Sequence, residues 1–60
     1  MDIEKVVQDM KTDYYNSQTP KETHAFWKGW LYGLCYGKMI SEGEFSELLE
    51  RNEKELKYWS

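Results

Sequence analysis

Sixty residues with one cysteine exclude an internal disulfide, and one histidine with scattered carboxylates offers few metal ligands. A net charge of −3 and a pI near 5.0 argue against nucleic acid, which selects basic surfaces. A chain this short buries only about 60% of its unfolded surface, so with disulfide and metal set aside, self-association is the expected supplement to its core. The single Cys35 lies among apolar residues, the pattern of a buried free thiol in a reducing cytosol. No secretory leader pattern is visible at the charged N-terminus. The apolar run Ala25–Ile40 contains Lys28 and Lys38 and is too short and too charged to span a membrane. The sequence thus reads as one cytoplasmic, all-α domain of three helices, at about 2–15, 20–38 and 42–58.

In the first segment Ile3, Val6, Val7, Met10 and Tyr14 recur at helical spacing and form one apolar face. Asp2 and Glu4 place negative charge in the first turn, where it suits the helix dipole. Asn16-Ser17-Gln18 is a short polar connection.

The second helix has a marked start. Thr19 is the expected N-cap, Pro20 the first helical residue, and Glu22 the third member of a T-x-x-E capping box. Phe26, Trp27, Trp30, Leu31 and Leu34 share a wide apolar arc, and Tyr32 and Tyr36 lie outside it. A helix apolar around most of its circumference is expected to be central, with Trp27, Trp30 and Leu34 inside the monomer. Between the arc and the tyrosines runs a line of small residues, Ala25, Gly29, Gly33 and Gly37. Each glycine costs a helix interior about 1 kcal/mol relative to alanine, a cost commonly offset when another backbone approaches closely. The line therefore reads as a helix-packing seam, with Gly37 also a candidate helix-terminal glycine.

Met39-Ile40 forms a brief connection, and Ser41 with Glu44 makes a second capping box. Phe45, Leu48, Leu49, Leu56 and Trp59 give the third apolar face, interrupted by Asn52. Glu42, Glu47, Glu50, Lys54 and Lys57 line the opposite face, with Glu50 and Lys54 spaced to pair. A helix-turn-helix reading fails. Gly43 falls where an apolar core residue is needed, and Glu42, Glu44, Glu47 and Glu50 on the would-be recognition helix repel phosphate.

No catalytic constellation emerges. His24 and Cys35 are eleven residues apart on one helix, about 16 Å by helical rise. His24 has no second ligand at metal-binding spacing and is assigned to a solvated face. No cofactor, metal or catalytic residue is assigned. The expected function is binding: a small adaptor or inhibitor of another protein, of the kind phages and mobile elements carry, and itself a homo-oligomer with a dimer favoured. Tyr32, Tyr36, Trp30 and Lys28 form the candidate partner interface, since Trp and Tyr dominate interface energetics. A purely structural homo-oligomer is one alternative. The other is a peripheral membrane binder with the Trp/Tyr/Lys helix in the headgroup region, a reading its narrow polar sector opposes.

Overall fold

A computed structural model describes residues 2–60 as three helices without strands: α1 (Ile3–Asn16), α2 (Pro20–Tyr36) and α3 (Glu42–Trp59). The chain is one compact all-helical domain. Its radius of gyration of 10.9 Å is close to the roughly 10.4 Å expected for its length.

Local chemistry sets the helix ends. Asp2 caps α1, its carboxylate accepting from the backbone N–H of Glu4 at 3.1 Å and Lys5 at 3.3 Å. Ser41 and Glu44 form the full reciprocal box at the start of α3. The box expected at Thr19 does not form. The Thr19 hydroxyl donates to the Glu22 carboxylate at 3.2 Å instead of accepting from the backbone. The Thr19 ψ of 77°, against 165° at Ser41, separates the two caps. The α1–α2 connection is held instead by Ser17, whose hydroxyl accepts from the Thr19 N–H at 3.0 Å and the Thr23 hydroxyl at 2.7 Å.

Helix α2 ends in a conventional motif whose left-handed position is filled by lysine and not by glycine. Gly37 is the C-cap but has φ −78°, and the following Lys38 takes the left-handed position with φ 60°. The Lys38 N–H donates to the Cys35 carbonyl and the Met39 N–H to that of Leu34, the paired bonds of a Schellman motif. A Cβ on Gly37 would lie 3.2 Å from the Gly33 carbonyl oxygen, the helix's own acceptor for the Gly37 N–H, so a side chain there would crowd the last turn.

The core comprises Val6, Met10 and Tyr14 from α1, Trp27 and Leu31 from α2, Ile40 from the connection, and Leu48 from α3. Helix α3, rather than α2, makes the most extensive contacts, packing against both other helices, and α1 and α2 touch each other least. Of the three α2 side chains expected inside, Trp27 is buried, Leu34 half-buried and Trp30 exposed. Ile40, expected only as connection, is a core residue. It stands just before the α3 N-cap, and Phe45 stands at the fourth helical position, the two sites of a hydrophobic staple.

Candidate functional site

Two polar ties orient the three helices and so determine what α2 shows to solvent. Asn52 is fully buried on the core face of α3. Its side-chain Oδ1 accepts from the Tyr14 hydroxyl of α1 at 2.6 Å, and its side-chain Nδ2 donates to the His24 backbone carbonyl of α2 at 3.1 Å. The interruption in the α3 stripe is therefore the point at which all three helices are joined. Burial, reinforced by the negative charges of Glu53 and Glu55, pushes the Tyr14 phenol up from 10.0 to about 12. The second tie is the Trp27 indole N–H, which donates to the Asp13 carboxylate of α1 at 2.9 Å.

His24 departs from the solvated position expected of it. Its side chain is only 18% exposed, and Nε2 lies 2.6 Å from Glu53 Oε1 of α3. A signal was present in the sequence: His24 lies seven residues before Leu31, two turns along the same helix face. The pair is a second α2–α3 clasp beside the Asn52 bond. Among the described residues no group of three or more His, Cys, Asp or Glu side chains is arranged to hold a metal ion. Among the described residues no helix is long and apolar enough to cross a membrane.

These ties turn Trp27 and Leu31 inward, so the opposite face of α2 points to solvent. Ala25, Gly29 and Gly33 run along its outermost line and are exposed. A Cβ built on Gly29 or Gly33 meets nothing within 4 Å. Among the described residues no neighbour fills the expected Ala25–Gly29–Gly33–Gly37 seam at Gly29 or Gly33, and Gly37 lies past the helix end. The line is the floor of a solvent-facing surface. Phe26 and Trp30 wall one side, 63% and 40% exposed, and Tyr32 and Tyr36 wall the other, 37% and 80% exposed.

The inner member of each wall is braced. Trp30 meets the buried Trp27 edge-on with ring centroids 4.9 Å apart, and Tyr32 meets Phe45 of α3 at 5.0 Å. Rings held by neighbours lose less freedom on contact, which favours binding. Lys28 is exposed beside the tyrosine wall. Of the candidate partner interface, Trp30, Tyr32 and Tyr36 flank the line of Ala25, Gly29 and Gly33, and Lys28 is exposed at its margin.

A second aromatic surface escaped the sequence reading. Tyr15 of α1 and Tyr58 and Trp59 of α3 gather around an open cleft of about 440 Å³, completed by Lys11, Thr12 and Glu55. Trp59 meets Tyr15 edge-on at 5.9 Å and Tyr58 at 4.9 Å. Tyr15 lies one residue beyond the buried Tyr14, outside the apolar face, and its meeting with the end of α3 depends on tertiary packing. No family model matches the chain, and no match is found among curated proteins or solved structures.

Proposed function

We propose that this chain is a small protein–protein interaction module, an adaptor or inhibitor that acts by binding another protein and performs no catalytic step. One observation carries the reading: the outward face of α2, with four exposed aromatic rings over a floor of small residues. The accessible surface of 4419 Å² is close to the roughly 4,200 Å² expected for a folded chain of 7.3 kDa. The amount of surface is ordinary, and its composition is not. Seven of the ten aromatic residues are exposed, and exposed aromatic patches mark contact sites.

The test is comparative capture from the native host. Wild type, a Trp30→Ala/Tyr36→Ala variant and a Tyr15→Ala/Tyr58→Ala variant are used as bait under identical conditions. A specific protein retained by wild type and lost with at least one aromatic pair supports the reading. Retention that neither pair alters, with all baits folded by circular dichroism, refutes it.

A further inference from the structure

We infer that the occupant of the outward α2 face is the same face of a second copy of this chain, laid antiparallel. The inference rests on reading that face as an interface and assigns its occupant to this chain itself, so that a different bound protein engages the cleft of Tyr15, Tyr58 and Trp59.

The first argument is the symmetry of the face. Its pattern reads alike in both directions from Leu31. Trp30 mirrors Tyr32, Gly29 mirrors Gly33, Phe26 mirrors Tyr36, and Ala25 mirrors Gly37. In a two-fold antiparallel pair centred on Leu31, every residue faces its mirror position on the other copy. Gly29 and Gly33 then meet at the centre of the pair, where two backbones approach with no side chain between them. The aromatic walls fit as well. At the level where one copy carries Trp30 on one flank, the other carries Tyr32 on the opposite flank. Phe26 and Tyr36 alternate in the same way. The two-fold places both Trp30 rings on one flank and both Tyr32 rings on the other, each like pair about 3 Å apart along the axis, so aromatic rings meet across the centre of the pair.

The second argument is size. An aromatic side chain contributes roughly 150–250 Å² when buried. At the observed exposures, Phe26, Trp30, Tyr32 and Tyr36 together offer on the order of 400 Å². The exposed Ala25, Gly29 and Gly33 backbone, the Lys28 stem and the exposed Met39 extend this toward about 600 Å² per partner, the lower end of a stable interface. Self-pairing also leaves room for another protein. The cleft of Tyr15, Tyr58 and Trp59 contains no residue of α2 and remains open on each copy.

Sedimentation equilibrium across a concentration series tests the pairing. The mass of the wild type is expected to rise from 7.3 kDa toward twice that value. Gly33→Leu, which meets open space within the chain, is expected to fold and to raise the dissociation constant roughly tenfold or more. Tyr58→Ala, off the face, is expected to leave it unchanged. Orientation is read by a spin label on the exposed Lys21→Cys, off the small-residue line, in a Cys35→Ser background. Twenty residues of helical rise place the two labels about 30 Å apart in the antiparallel pair. Labels closer than about 20 Å mean a parallel pair and overturn the register.

A folded wild type that stays monomeric overturns self-pairing. If its Trp30→Ala/Tyr36→Ala variant still loses a captured protein, the module reading survives alone. If neither aromatic pair affects capture, both readings fail. A monomer that cosediments with anionic vesicles through Trp30 and Tyr36 assigns the face to a membrane and overturns the pairing equally.

Discussion

Tyr14 and Asn52 show how one buried polar contact can orient a small fold. Each satisfies the other, and Asn52 also satisfies the His24 carbonyl. A buried group left without its partner costs about 1–3 kcal/mol, so Tyr14→Phe, which strands the Asn52 oxygen, is expected to destabilise by that amount in denaturant titrations. The phenol also makes stability depend on pH. Below pH 10 it holds its proton in both the folded and unfolded states. Between 10 and about 12 the unfolded chain releases the proton and the folded chain keeps it, so stability falls as pH rises through that window. The expected loss is up to roughly 2–3 kcal/mol, and Tyr14→Phe, which lacks the group, should lose correspondingly less over the same pH range. Lys38 gives a prediction of the opposite sign. Its φ of 60° suits glycine better than a residue with a Cβ. Lys38→Gly is expected to raise stability by roughly 0.5–1 kcal/mol in thermal or chemical melts, after the added freedom of the unfolded chain is counted.

At the scale of elements, two sequence boxes that look alike behave differently. Ser41→Ala is expected to cost about 1 kcal/mol because its hydroxyl accepts a backbone bond. Thr19→Ala is expected to change stability by no more than about 0.5 kcal/mol, because its hydroxyl makes only an exposed bond to Glu22. Equal losses in paired melts would contradict the geometry of one cap. The number, order and approximate ends of the helices were legible because periodicity, caps and proline act locally. The apolar face of α1 was legible for the same reason. Which side of α2 faces inward was not. Its aromatics encircle most of the helix, and the choice was made by long-range contacts: Asn52 to the His24 carbonyl, His24 to Glu53, and Trp27 to Asp13. The glycine line was visible in the sequence, and its outward direction followed only from those contacts. The Tyr15–Tyr58–Trp59 cleft was hidden for the same reason, being assembled from the ends of two helices.

For the whole molecule, the open space around Gly33 separates two kinds of stability. Within one copy, Gly33→Ala removes a helix-interior glycine and strains nothing, so the dilute chain is expected to gain about 1 kcal/mol in chemical denaturation. In a closely approached pair the same methyl group overpacks the contact, so the gain is expected to shrink or reverse as concentration rises. A gain that is the same at every concentration would speak against close approach at Gly33.

The placement of the three indoles makes the protein its own optical probe. Trp27 is enclosed by the core and bonded to Asp13, Trp30 stands on the outward face of α2, and Trp59 borders the cleft between α1 and α3. An indole emits at shorter wavelength when water is removed from it, so covering the cleft shifts Trp59 alone, and covering the α2 face shifts Trp30 together with its contact partner Trp27. Single Trp→Phe variants assign the shift. Intrinsic fluorescence can therefore show, without any added dye, which side of the molecule a titrant covers.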